Sequence, residues 1–445
     1  MNRFAAIVNS GYYLAVGGYK AVDKKFHNIL NPDTGMYEPE AQYLTDDYLD
    51  LCISHQIDYN ELSTKLFGQE PNTDLGQVEA TYLAQSTNFD RAYKATSGAI
   101  IKETLLHLFN TGQIEAAIVI KKAGPLEYKP SKITTAAEVD ELPPSVYHMI
   151  DYTDTVSLLE EATEKKLAVV GTPWQIDGLY QYIFSRNAKL QKKIHLTIGL
   201  LTGWYFSHHM IRALCAYYSI NYDDLEDIVY RGGGRLGKTR FIFKDGSTKE
   251  INRFTIRSLV AFERYFNVPK FMVEINQHNM LADIVVGDAH IPECMYSKTG
   301  ISLVISRSKV AEKTLRDMSE QKTITLKKVA NETLIRSQKR DRLYGDFAYS
   351  YLDYLEEIGE PVPKIQAPNR AKHRSIPRSK LEKFHRSYQR KLALQKKGKY
   401  WQILIEKYTL NGHKVYPRLF KQVLGKVNQK SRPPIQENDL LDIFK

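Results

Sequence analysis

The sequence predicts an α/β protein: a mostly parallel sheet with flanking helices, then an α+β region, closed by a basic helical C-terminal extension. Three observations lead there. Short β-branched runs alternate with helical stretches of about ten residues or more, the signature of βαβ units. That alternation gives way to a hairpin signal and two further strands. Positive charge is then concentrated in the last fifth of the chain.

Taken in order, Thr96 to Thr111 predicts a helix whose apolar face is Ile100, Ile101, Leu105, Leu106, Leu108 and Phe109. Gly112 ends it, and Glu115 to Lys121 predicts a short buried strand. A helix at Thr155 to Lys165 leads to the strand Leu167 to Val170. The helix Gln175 to Arg186, the strand His195 to Leu201 and the helix His208 to Tyr218 continue the alternation. Arg240 to Ile251 predicts a hairpin around Asp245-Gly246. Ala282 to Gly287 and Ile301 to Ser306 predict the strands of the α+β region. Tyr349 to Tyr354 is helical. Pro361, Pro363, Pro368 and Pro377 then mark a linker where regular structure should lapse. Beyond it, Arg378 to Lys399 predicts a basic helix, with shorter amphipathic helices at Trp401 to Leu410 and Tyr416 to Val427.

Composition excludes several classes. The 445 residues suggest two or three domains, and 43% hydrophobic with 25% charged residues is ordinary for a globular chain. Cys52, Cys215 and Cys294 stand far apart, which excludes a disulfide scaffold and a cysteine-ligated zinc or iron–sulfur site. The most apolar stretch, Ile194 to Phe206, is too short to span a bilayer. The N-terminus is a poor signal peptide, so a cytoplasmic location is expected. Of the net charge of +11, Pro361 to Lys430 carries nineteen Lys/Arg against Glu382 and Glu406, which is +17 on the tail and −6 on the rest.

Several loops at strand ends have the character of a nucleotide site. Gly171 allows close backbone approach after a strand, Thr172 can cap or donate, and Pro173 suits a first helical turn before Gln175. Thr96, Ser97 and Gly98 open a helix in the same way, where unpaired N–H groups favour anions. Arg231, Gly232, Gly233 and Gly234, followed by Arg235 and Lys238, combine a flexible backbone with cations suited to a pyrophosphate. Singly, each is more often an ordinary turn or loop. His208 and His209 do not share a helix face, and His278 and His290 have no ligand spacing, so no metal site is expected.

The order and spacing of these blocks resemble the coenzyme F420 hydrogenase and dehydrogenase beta-subunit family. The resemblance runs from about Asn9 to Glu320 and is carried by five segments: Thr96 to Gly98, Gly171 to Gly178, Tyr230 to Gly234, Ala282 to Asp288, and Ile301 to Arg307. It implies a flavoprotein holding FAD and iron–sulfur clusters, with Asp283, Gly287 and Asp288 beside the cofactor. It divides the chain into a degenerate ferredoxin-like segment (1–85), a flavin domain (86–330), a helical connector (331–360) and the basic extension (361–445).

The chain departs from that pattern at the cluster ligands. Tyr13, Val16, Tyr19 and Asp23 stand where the resemblance expects the first cysteine motif. Trp174, Thr202, Phe271 and Glu274 replace later ones. Clusters need thiolates, which these residues cannot supply. The resemblance then implies an FAD-dependent oxidoreductase without clusters, passing electrons from a soluble donor or redox partner protein to a small-molecule substrate. Here Trp174 fills volume vacated by a cluster, and Glu274 is a possible proton donor. The alternative is a non-catalytic relative kept as a scaffold or partner-binding subunit. The basic tail adds an expectation of another class: contact with an acidic protein, an anionic membrane surface or nucleic acid.

Overall fold

A computed structural model describes residues 2–71, 75–235, 237–252, 266–367 and 375–386. Its centre is an eight-stranded sheet. Short pieces precede it: β1 (Asn28–Leu30), β2 (Tyr37–Pro39) and β3 (Gln56–Asp58). The sheet is built from β4 (Ala80–Ser86), β5 (Ala116–Gly124), β6 (Glu127–Ile133), β7 (Leu167–Gly171) and β8 (Ile194–Leu200), with β12 (Ile284–Asp288), β13 (Ser302–Ser306) and β14 (Ile324–Val329). The order is β14-β4-β13-β12-β8-β7-β5-β6. The middle strands β12, β8, β7 and β5 are parallel, and antiparallel strands extend both edges. The α+β region therefore lends β12 and β13 to the same sheet.

The strands are apolar on both faces because both faces are covered. On β7, Leu167 and Val169 enter the larger core cluster, while Ala168 enters the cluster on the opposite face. Ala116 and Ile118 of β5 alternate with Ala117 and Val119 in the same way. The helix Ile100–Asn110 covers one face through Ile100, Leu105 and Leu108. The helix Pro173–Arg186 covers the other through Trp174, Ile176, Leu179, Tyr180 and Ile183. Gly178 of that helix lies so close to Gly17 that a Cβ would come within 2.9 Å of its backbone nitrogen, so the N-terminal segment docks directly on the helix.

A separate three-stranded sheet holds β9 (Leu225–Gly232), β10 (Lys238–Phe243) and β11 (Thr248–Asn252). The predicted hairpin is β10 and β11, with Arg240 opposite Glu250 and Gly246 in the left-handed region at φ 83°. The expected proline-rich lapse is interrupted by β15 (Lys364–Gln366), which pairs in parallel with β3. The strand holds no proline between Pro363 and Pro368, so each of its three residues keeps the N–H that pairing needs. The predicted basic helix is seen over 378–386. The rest of it and the two later predicted helices lie outside the described residues. Among the described residues, no helix is long and apolar enough to cross a membrane.

Candidate functional site

A cavity of about 940 Å³ opens at the carboxyl ends of the parallel strands. That is where an open α/β sheet offers helix N-termini and a crevice for ligands. Four of the sequence blocks converge on it: Ser97 from the first, Gly171, Thr172 and Gln175 from the second, Arg231 and Gly232 from the third, Gly287 and Asp288 from the fourth.

One part of the wall is cationic. Residues 96–99 form a tight turn with three positive φ angles: Thr96 at 62°, Gly98 at 75° and Ala99 at 60°. Gly98 is needed here, since a Cβ would lie 2.8 Å from Ser302 Oγ and 2.9 Å from the Ala84 carbonyl oxygen. The helix Ile100–Asn110 follows with no side-chain cap, so its first N–H groups remain as anion donors. Arg231 closes the turn from β9. Its Nη1 donates to Asp288 Oδ2 at 2.8 Å and its Nη2 to the Thr96 carbonyl at 3.4 Å. Burial would raise the Asp288 carboxyl, but Arg231, His290 and the Ser97 hydroxyl outweigh it and hold the group at about 2. Arg91, Lys94, Lys102, Arg235, Lys238 and Arg240 also line the cavity. Arg91 is neutralised by Glu103 and Asp140, and Arg240 by Glu250.

A second part of the wall is aromatic. Tyr152, Trp174, Trp204, Tyr205 and Phe206 line it. The Trp174 and Tyr205 rings lie 4.5 Å apart at 39°, and Trp204 stacks on Phe206 at 6.1 Å and 15°. Burial pushes the Tyr152 phenol above its ordinary range. Gln175 is buried and donates from Nε2 to Thr155 Oγ1 at 3.1 Å, which fixes its amide at the wall.

The remaining predicted residues lie elsewhere. Thr96, Gly98 and Gly234 stand behind the wall, where Gly234 N–H donates to the Tyr93 carbonyl at 2.9 Å. Pro173 is buried in the first turn of its helix. Asp283 sits at the opposite end of β12, where its Oδ2 accepts from the Thr197 N–H at 2.9 Å and hydroxyl at 2.7 Å. Glu274, expected as a proton donor, does not line the cavity. It is 1% exposed and is held by Lys270 Nζ at 2.7 Å and the Asn276 N–H at 2.8 Å. A carboxylate so paired serves as the counter-ion of a buried lysine. Sequence reasoning overlooked the aromatic run Gly203 to Phe206, whose signal was a row of large rings directly after a strand.

Two family models match the chain, one for each end of the coenzyme F420 hydrogenase/dehydrogenase beta subunit. The N-terminal model matches residues 81–157 and the C-terminal model residues 164–332. The chain belongs to the coenzyme F420 hydrogenase/dehydrogenase beta-subunit family. A solved structure titled as a xenon derivative of the F420-reducing [NiFe] hydrogenase complex from Methanosarcina barkeri is similar in fold. Its TM-score is 0.52 at 18% identity, covering 67% of this chain and 99% of that chain. No curated protein matches.

Within this family the cluster and the flavin fare differently. At the N-terminal positions Tyr13 and Tyr19 join Phe4, Phe26 and Tyr48 in a packed aromatic group, with Tyr19 stacked on Phe26 at 4.8 Å. Tyr13 donates to Asn28 Oδ1 at 2.9 Å. The Cys52 thiol lies beside them, and burial pushes it up, away from the thiolate form a cluster requires. These residues do not fit an iron–sulfur cluster. The cavity fits a flavin: an uncapped turn and cations line one part of it, and flat aromatic walls line another.

Proposed function

We propose that the chain is a flavin-dependent oxidoreductase that works without iron–sulfur clusters and holds FAD in the 940 Å³ cavity. The observation that supports this most is the convergence of the uncapped 96–99 turn, Arg231 and the aromatic wall on one crevice. Ser97, the first N–H groups of the Ile100–Asn110 helix, Arg231 and Lys94 would hold the phosphates. Gly171, Thr172, Gln175 and the Trp174–Tyr205 pair would hold the ring. The bound flavin would supply two-electron chemistry, accepting electrons from a donor and delivering them to a substrate.

The chain's own residues do the positioning. The Arg231–Asp288 pair keeps the guanidinium fixed beside the turn and partly neutralises it, while positive charge near the turn comes also from Lys94. Gln175 and Thr172 present polar groups at the sheet end, and Trp204 and Phe206 exclude water from the ring. The electron donor is a soluble carrier or a redox protein, and the cytoplasm is the compartment this reading assigns. Titration with FAD and with riboflavin tests the arrangement. FAD should bind and should bind more tightly than riboflavin, which lacks the phosphates. Equal affinity would remove the phosphate role of the turn. A colourless chain that binds neither would favour a partner-binding role without redox chemistry.

A further inference from the structure

We propose that residues 141–147 form a gate over the cavity, latched by Arg91, Lys102 and Arg231. This rests on the flavin reading above and adds to it how a ligand enters and leaves.

Six consecutive residues, Leu142 to Tyr147, line the cavity without forming helix or strand. Pro144 and Ser145 are exposed, so the stretch is rim as well as wall. Its two ends are fixed. Val139 is buried before it. After it the Phe206 N–H donates to the Tyr147 carbonyl at 2.9 Å, and the Met149 N–H to the Phe206 carbonyl at 2.8 Å. Between those ends the Ser145 and Val146 N–H groups make no backbone bond among the described residues, and Pro143 and Pro144 have no N–H to offer. Leu142 and Val146 are only partly buried. A stretch with so little backbone bonding opens easily unless side chains from outside hold it.

Three cavity cations do so. Arg91 donates from Nε and Nη2 to the two Asp140 carboxylate oxygens at 3.0 and 3.3 Å, while Glu103 accepts from its Nη1 at 2.6 Å. Lys102 Nζ donates to the Asp140 and Leu142 carbonyls at 3.1 and 2.9 Å. Arg231 donates to the Tyr147 phenol, and the Tyr147 ring meets Tyr230 edge-on at 5.4 Å. The Asp140 side chain is 58% exposed, so its ion pair is screened and weak enough to open. Arg231 also stands at the 96–99 turn, so the residue that would meet the phosphates is one that holds the gate.

The double variant Asp140→Ala with Tyr147→Phe cuts the latch and leaves all three cations in place. In hydrogen–deuterium exchange of the chain without added ligand, the peptide covering 141–147 should exchange about ten-fold faster in the variant. The β4 peptide should be unchanged, which shows that the fold is intact. Asp140→Asn alone should give the same pattern at smaller size. Stopped-flow mixing with riboflavin then reads passage through the gate. Riboflavin carries no phosphate, so the freed Arg91 and Arg231 add nothing to its binding. Its association and release should both quicken by the same factor, with Kd within about three-fold of wild type. Loss of a simple wall contact would speed release alone. That result, unchanged exchange or unchanged rates overturns the gate and leaves the flavin reading standing. A wild-type chain that binds neither riboflavin nor FAD overturns the flavin reading and the gate with it.

Discussion

Lys270 and Glu274 carry opposite charges into the core at 4% and 1% side-chain exposure. Their neighbour Asp177 accepts from the Tyr59 hydroxyl and from Asn276 Nδ2, each at 2.8 Å. Burial pushes the Asp177 carboxyl well up, and Glu274 adds to the shift. Removing the lysine's charge should therefore be severe. Lys270→Ala should lose about 3–5 kcal/mol in denaturant unfolding, because Glu274 is left as an unpaired buried charge. The double variant Lys270→Met with Glu274→Leu should lose much less. Glu274→Gln should leave FAD affinity unchanged, which titration can check, since the group lies off the cavity. A large loss of affinity would contradict its placement as a structural counter-ion.

At the scale of elements, the 96–99 turn stores strain. Thr96 and Ala99 are non-glycine residues at φ 62° and 60°, a conformation that side chains disfavour. Ala99→Gly should relieve about 1 kcal/mol of this and raise the melting temperature. Gly98→Ala should destabilise by more, since its Cβ has no room beside β13 and β4. A second element-level effect joins the loop before the helix Asp154–Glu161 to the helix His209–Tyr217. His148 and His208 are buried with ring centroids 4.8 Å apart. Burial pushes both down, His208 to about 4 from an ordinary 6.5. The unfolded chain therefore takes up protons below pH 6.5 that the native chain refuses until about pH 4. Stability must fall as the pH drops through that window, by on the order of 3 kcal/mol for His208. Unfolding midpoints measured from about pH 7 to about pH 4 should show the loss, and His208→Gln should reduce it.

For the whole molecule, legibility followed burial. Leu167 to Val170 and Ile301 to Ser306 could be read as strands because both faces are covered and apolar residues dominate each run. β6 was missed because it is an edge strand, Glu127–Ile133, that carries Lys129, Pro130 and Lys132 and alternates exposed with buried. β4 reads as an ordinary Ala-Thr-Tyr-Leu-Ala-Gln run, yet it lies between β13 and β14, a pairing set by tertiary context. The 96–99 turn and the 231–234 loop were legible because glycine and arginine in turns carry local signals. The aromatic wall was not, since Trp204 to Phe206 gain meaning only when the loop after β8 meets Trp174. Asp283 lies at the far end of β12 and Glu274 in a buried pair with Lys270, placements that a motif alone does not give.

FAD binding by a fold in which Tyr13 and Tyr19 are packed among other aromatic rings is what the proposed function requires. The most direct measurement is the visible absorption spectrum of the purified chain, before and after incubation with FAD and removal of free ligand. Flavin absorption should stay with the protein and be released as FAD on denaturation. A chain that remains colourless after incubation would rule out the proposed function.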